Sequence, residues 1–391
     1  MPTINRFADL QDEITGWRRD IHMNPELQFD VHRTAGLVAE KLRAFGCDEV
    51  VEGIGRTGVV GIIKGRETGS GKVIGMRADM DALPILEQTG KDYASTVPGK
   101  MHACGHDGHT AMLLGAAKYL SETRNYDGSV AVIFQPAEEG GGGGKEMVDD
   151  GMMDRFGITE VYGMHTAPGV PVGQFSIRPG PILASADEFE IRITGVGGHA
   201  AYPHECVDTT LIGAQMMQAM QTIVARNIDP VKSAVVSVSL FEVDSVATNV
   251  IAETIRLKGT VRTLDGGVQD LVETKMAQMV EHMARAFGAE ATLQYDRHYP
   301  VTVNSADQTA FAAQVAREVA GDGKVEDKAP PQLGAEDFSF MLNARPGAFI
   351  FVGNGDTAYC HHPQFDFDDE AIPHGCSYWG RLAETGMPLK A

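Results

Sequence analysis

Four short segments of this 391-residue chain gather side chains that bind transition metals. They are HACGHDGH (His102 to His109), QPAEEGG (Gln135 to Gly141), MHT (Met164 to Thr166) and CHHP (Cys360 to Pro363). A thiolate, imidazoles and carboxylates together suit zinc or another first-row ion better than calcium or magnesium, which favour oxygen alone. Cys104 and His106 stand two residues apart, so an extended backbone turns both to one side. Each residue also has an ordinary alternative. A free cysteine is commonly a small core residue, and thirteen histidines produce some clusters by chance.

Adjacent Glu138 and Glu139 repel one another unless they are solvated or a cation lies between them. With divalent ions present, one carboxylate can bind metal while its neighbour takes the proton of an attacking water. Gly140 to Gly144 permit close backbone approach to a ligand, although a flexible surface loop has the same composition. No GKS or GKT ending follows them, so they are not a phosphate-binding loop. In MRADMDALP, Asp79 and Asp81 can hold the second nitrogen of a ligating histidine or cap backbone groups of a strand-end turn. GVGGHAAYPHE sets His199 and His204 in a Gly-rich loop, where a histidine can donate to a developing oxyanion or simply face solvent.

The metal-type segments each lie at the end of an apolar run or in the turn after one. In open α/β sheets ligands gather at the carboxyl ends of strands, so distant segments can converge there. Phe7, Leu10, Ile14, Trp17 and Ile21 predict an amphipathic helix ended by Pro25, and a second helix runs from about Thr34 to Gly46. The runs VVGIIKG, KVIGMRADM, SVAVIFQP and VYGMHT alternate with the helical patterns HTAMLLGAAKYL and KEMVDDGM, an α/β rhythm with buried strands. From about Ala184 the order becomes β-α-β-β-α-β, the pattern of a ferredoxin-like sandwich. After about His298 the α/β character resumes, with a helix around Phe311 to Val319 and the strand PGAFIFVGN. Residues 1–183 and 298–391 are therefore expected to form one metal-binding catalytic domain that encloses a smaller lid domain, residues 184–297.

The composition, 43% hydrophobic and 22% charged, is that of a globular protein of about two domains. A net charge of -20 disfavours nucleic-acid and anionic membrane partners and points to a small-molecule substrate. No stretch is long and apolar enough to span a bilayer, and the first twenty residues lack the apolar run of a secretory signal. Cys47, Cys104, Cys206, Cys360 and Cys376 are odd in number and scattered, which points to a reducing cytoplasm rather than a disulfide framework.

MRADMDALPI, MHACGHDGHTAMLLGAA, FQPAEEG, GMHTAPGVPVG, GVGGHAAYPH, TNVIAET, GAEDFSF and HHPQFDFDD follow one another along essentially the whole chain. In this order they closely resemble the aminoacylase and carboxypeptidase family of metallopeptidases, in particular its branch of hippurate hydrolases and auxin-conjugate amidohydrolases. The resemblance implies a mixed-sheet α/β catalytic domain holding two divalent metals, with an inserted ferredoxin-like α+β domain serving as lid and dimerisation unit. It implies metal ligands at Cys104, His106, Glu139, His165 and His361, a general base at Glu138, and Asp79 as the carboxylate behind a ligand. His361 is preferred to His362 because the branch pattern is His, any residue, Pro. His199 and Asn249 resemble residues that a partner subunit contributes to substrate binding.

Two departures from the wider family are shared with the branch. Arg77 stands where a metal-binding His is usual, and Cys104 where a bridging Asp is usual. A bridging thiolate favours softer ions, so manganese and zinc, with cobalt or nickel as further options, all remain open. The implied activity is hydrolysis of the amide of an N-acyl amino acid by a homodimer or dimer of dimers. Asn249 and Arg262 are candidates to receive the substrate carboxylate. A dipeptidase or carboxypeptidase, and a non-catalytic metal-binding relative, are the alternatives.

Overall fold

Strands that are apolar on both faces must be covered on both faces. Gly58–Lys64, Val73–Asp79, Ser129–Gln135 and Gly347–Gly353 are of this kind and are buried along almost their whole length. In the computed structural model, which describes residues 3–390, they form the middle of an eight-stranded sheet. The order across it is Glu49–Ile54, Gly58–Lys64, Ser129–Gln135, Val73–Asp79, Glu160–Ala167, Gly347–Gly353, Phe175–Ser176 and Val325–Glu326. The first two and Ser129–Gln135 meet antiparallel, whereas Val73–Asp79 runs parallel to both its neighbours and Gly347–Gly353 runs parallel to Glu160–Ala167. The sheet is therefore mixed.

Register decides what meets at the sheet's edge. Asp79 pairs with Gln135, so the turns that follow these two parallel strands leave on the same side. Arg77 pairs with Gly163, which puts His165 level with Asp79. The segments ADMD, PAEE and MHT thus reach one end of the sheet because their strands share direction and register.

Helix Asn5–Met23 buries Phe7, Leu10, Ile14 and Ile21. Helix His32–Phe45 stops at Gly46, whose φ of 80° supplies the left-handed residue common at helix ends. Helix His106–Thr123 is buried around most of its circumference. KEMVDDGM, expected as one helix, is instead split between Gly143–Asp149 and Met152–Arg155, with Gly151 at a φ of 77° between them. A left-handed residue cannot continue an α-helix, which accounts for the break.

The chain divides into two compact units. The larger comprises residues up to Ile182, Val303–Pro330 and Asp337 onward; the smaller comprises Leu183–Thr302 and Pro331–Glu336. The smaller holds strands Ala186–Thr194, Ala234–Val243, Thr254–Thr263 and Glu290–Tyr299 and helices Thr209–Thr222 and Gly266–Ala286. Its second, third, first and fourth strands lie side by side in that order, all antiparallel, the ferredoxin-like arrangement. Alternate residues of Thr254–Thr263 are buried, so one face of this sheet carries the unit's core. Asp208 and Asp265 cap its helices by accepting from backbone amides of the first turn. Among the described residues no helix is long and apolar enough to cross a membrane.

Candidate metal centre

Helix His106–Thr123 begins at Gly105, which has a φ of 85° and where a Cβ would come within 2.6 Å of Thr166 Cγ2. Only glycine fits that turn, and the turn sets Cys104 and His106 at the carboxyl end of the sheet. His106 Nε2 faces Glu138 Oε2 at 4.0 Å, Glu139 Oε1 at 3.9 Å and Asp79 Oδ2 at 3.7 Å. Cys104 Sγ lies 3.3 Å from His165 Nε2, and His361 Nε2 lies 3.2 Å from Glu139 Oε1. The donor atoms of Cys104, His106 and His165 fall within 4.8 Å of one another, as do those of Cys104, Glu139 and His361, and those of His106, Glu138 and Glu139. Six ligand-type side chains from four segments, Cys104 and His106 among them, are thus gathered at one place.

The backbone prepares several of these groups. His165 Nδ1 donates to the Thr166 carbonyl at 2.6 Å, which fixes the tautomer and leaves the Nε2 lone pair toward Cys104. His361 has a φ of 68°, uncommon for a residue with a side chain, and its amide donates to the Ala103 carbonyl at 2.7 Å. Its neighbour His362 instead accepts the Gln364 amide on Nδ1, so the two adjacent histidines have different surroundings.

Asp79 and Asp81 divide the work that the sequence left undecided. Asp81 accepts the amides of both Glu138 and Glu139, at 2.9 and 3.1 Å, and its Oδ1 lies 3.5 Å from His106 Nδ1. It is therefore both the cap of the turn and the carboxylate at the second nitrogen of His106. Asp79 was expected behind a ligand; its hydrogen bonds go to His109 Nδ1 at 2.7 Å and Arg77 at 2.8 Å. His109 Nε2 in turn accepts the Thr166 amide at 2.9 Å, so both nitrogens of His109 are engaged by protein. Asp79, His106 and His109 also lie close enough to hold an ion, but these bonds remove His109 from that set.

Arg77, in place of the usual histidine, is fully buried and donates to Gln135 at 2.9 Å, Asp79 at 2.8 Å and Asp337 at 3.1 Å. Asp337 also accepts from Gln135 at 2.7 Å and from the Gly144 amide at 2.7 Å. The glycine run is consequently folded onto the protein rather than held open: a Cβ on Gly143 would come within 1.8 Å of the Pro136 carbonyl oxygen. The sequence offers Asp81 both of its roles as alternatives, whereas nothing in GAEDFSF signals the partners of Asp337.

Charge in the cluster is unbalanced. Burial opposes ionisation of His106, but Asp79, Asp81 and Glu139 outweigh it and raise the imidazole to about 10. Burial likewise opposes ionisation of Glu139, but His361 and His106 hold it below the usual carboxylate value. His165 is pushed well down, by burial first and by His109 next, and stays a neutral donor. His106 Nε2 is buried without a hydrogen bond. A surplus of buried carboxylate, a neutral imidazole aimed inward and an unsatisfied donor atom are the requirements of a site for cations, and these residues fit one.

In the smaller unit, Gly198–His199 pairs with Val250–Ile251, with His199 opposite Val250, and the Ala200 amide donates to the Asn249 carbonyl at 2.9 Å. His199 and Asn249 are therefore exposed neighbours. His204 is in a separate turn, Pro203–Glu205. Arg262 lies on Thr254–Thr263, its guanidinium bonded to the Val261 carbonyl at 3.0 Å and to Thr260 Oγ1.

Comparison with known proteins adds an independent line. The sequence profile of peptidase family M20/M25/M40 matches residues 75–385. A hippurate hydrolase of Campylobacter jejuni is 40% identical, over 98% of this chain and 99% of its own. An N-acetylcysteine deacetylase of Bacillus subtilis is 37% identical, over 94% of each chain. Among solved structures, a dinuclear metal binding peptidase of the M20 family from Bacillus subtilis superposes with a TM-score of 0.84 at 33% identity, covering 97% of this chain and 99% of its own.

Proposed function

The chain belongs to peptidase family M20/M25/M40, and from that membership we propose that it hydrolyses the amide bond of N-acyl amino acids with the aid of two divalent ions. The observation that carries this reading is the gathering of Cys104, His106, Glu139, His165 and His361 beside a further carboxylate, Glu138. Those five side chains are the ligands. Manganese and zinc are the leading ions, with cobalt or nickel as alternatives, because Cys104 softens an otherwise nitrogen and oxygen set. Ions held there supply Lewis acidity, which polarises the acyl carbonyl and makes water acidic enough to attack near neutral pH.

Glu138 accepts the proton of the attacking water and passes it to the departing amine nitrogen. Asp81 holds the backbone of that turn, which limits the positions Glu138 can take. Asp79 works at one remove, fixing His109 and through it the Thr166 amide beside His165. His199 donates to the oxyanion, and Asn249 beside it receives the substrate carboxylate. Arg262 is the weaker candidate for that carboxylate because its guanidinium is already bonded locally. All five cysteines are free, which suits a cytoplasmic setting.

The direct test is turnover of benzoyl-glycine, N-acetyl amino acids and free dipeptides after reconstitution with each of the four metals. N-acyl amino acids are expected to be cleaved and free dipeptides to be much poorer substrates. Cleavage of dipeptides alone would move the protein to the peptidase side of its family.

Residues 184–297 serve in this reading as lid and dimerisation domain, and His199 acts on the opposite subunit of a dimer. The outer edge of Ala234–Val243 has no strand partner among the described residues, so it offers a place for two copies to pair. Mixing Glu138→Gln with His199→Ala under conditions of subunit exchange gives mixed dimers in which one site has both residues. Up to about a quarter of wild-type activity per subunit should return. A mixture that exchanges and stays inactive would restrict His199 to its own chain.

A further inference from the structure

Cys360 takes no part in the chemistry assigned above, yet the fold lays it beside Cys104. The main chain brings the two together: the His361 amide donates to the Ala103 carbonyl, which lays residue 360 alongside residue 104. Cys104 is buried and Cys360 partly buried. Two other cysteines of the larger unit are engaged elsewhere, Cys47 beside Ser121 Oγ at 3.8 Å and Cys376 at the Met112 carbonyl at 3.2 Å. Cys104 belongs to two of the close donor sets, whereas Cys360 belongs to none among the described residues. A cysteine laid alongside one donor and outside the donor sets is badly placed to share their ion and well placed to bond to that donor's sulfur.

We propose that Cys104 and Cys360 are an oxidation site, forming a reversible disulfide that withdraws Cys104 from the metal centre. The loss of metal rests on the ligand role given to Cys104 above; the bond itself does not. The oxidant is a hydroperoxide. The more accessible Cys360 sulfur attacks the O–O bond and becomes a sulfenic acid, releasing water or an alcohol. The Cys104 sulfur then attacks the sulfenic sulfur, the S–O bond breaks, and the hydroxyl departs with the thiol proton as water. Two thiols give up two electrons and two protons, which the hydroperoxide takes up. Thiol reductants reverse the bond, whereas oxidation of an unprotected Cys104 to the sulfinic acid is not reversed by them.

The experiment exposes metal-free wild-type protein to stoichiometric hydrogen peroxide and analyses an unreduced digest by mass spectrometry. The peptide containing Cys104 should be found joined to that containing Cys360, lighter than their sum by two hydrogens and separable by dithiothreitol. Cys360→Ser should keep its metal content and give no joined peptide. Wild-type protein in which both thiols can still be alkylated after peroxide, or in which Cys104 passes to sulfinic acid while Cys360 stays reduced, would overturn the proposal. A parallel arm loads the protein with zinc at about 100 times its Kd, which should slow crosslinking about a hundredfold by mass action. Crosslinking at equal rates with and without metal would establish the disulfide and at the same time remove Cys104 from the ligand set, so the two readings fail separately.

Discussion

Glu138→Gln protein is expected to keep its metal and to lose a factor of about 10² to 10⁴ in turnover. Glutamine preserves the shape of the side chain and leaves its backbone amide on Asp81, so the turn that carries Glu139 is undisturbed. What it removes is the capacity to take a proton. The expected loss corresponds to about 3 to 5 kcal/mol of transition-state stabilisation, too large to arise from a small shift in packing. Metal content by mass spectrometry and kcat on an N-acyl amino acid, measured on the same preparation, decide the matter. Full turnover with metal bound would exclude Glu138 as the base.

Arg77→Met should cost about 3 to 5 kcal/mol of stability in the metal-free protein, a large share of the roughly 5 to 15 kcal/mol that holds a domain folded. The guanidinium donates to Asp79 and Asp337 in a setting where all three side chains are inaccessible to water. A thioether of similar length leaves both carboxylates buried without it. Arg77→Lys retains charge but not the planar fork that reaches Gln135, Asp79 and Asp337 together, and should fall between. Both tryptophans, Trp17 and Trp379, lie in the larger unit, so their fluorescence during urea unfolding reports on the unit that contains Arg77. A loss below about 1 kcal/mol for Arg77→Met would mean the network is dispensable.

Much of the architecture could be read in advance because it is written in period. The unbroken apolar runs ending at Asp79, Gln135 and Ala167 announce buried strands, and the metal-type residues follow them or lie near their ends. The β-α-β-β-α-β order of the smaller unit was equally plain, since alternation and helical stripes change places at clear turns. Less visible were contacts whose partners are far apart in the chain. Asp79 and Asp81 look alike in sequence, yet one grips a histidine of helix His106–Thr123 and the other grips two backbone amides of the turn after Gln135. Register across two parallel strands decides this, and register is a property of the folded sheet. Asp337 lies in GAEDFSF, whose local pattern says nothing of its partner Arg77, 260 residues away. Gly140 to Gly144 were ambiguous for another reason: a glycine needed for close packing against one's own chain is the same letter as one needed for approach to a ligand.

The parallel pairing of Glu160–Ala167 with Gly347–Gly353 has a consequence for the protein during its synthesis. Translation runs at about 5 to 20 residues per second, and about 180 residues separate Ala167 from Gly347, so an emerging chain waits roughly 10 to 40 s before the second strand exists. Through that interval Glu160–Ala167 is a nascent edge with an apolar face, the kind of template on which neighbouring chains aggregate. The smaller unit leaves the ribosome within the same interval with all four of its strands. Its folding shortens the path between the two waiting ends to the spacing of one compact body, so the insertion lowers the entropic cost of closing the sheet around it.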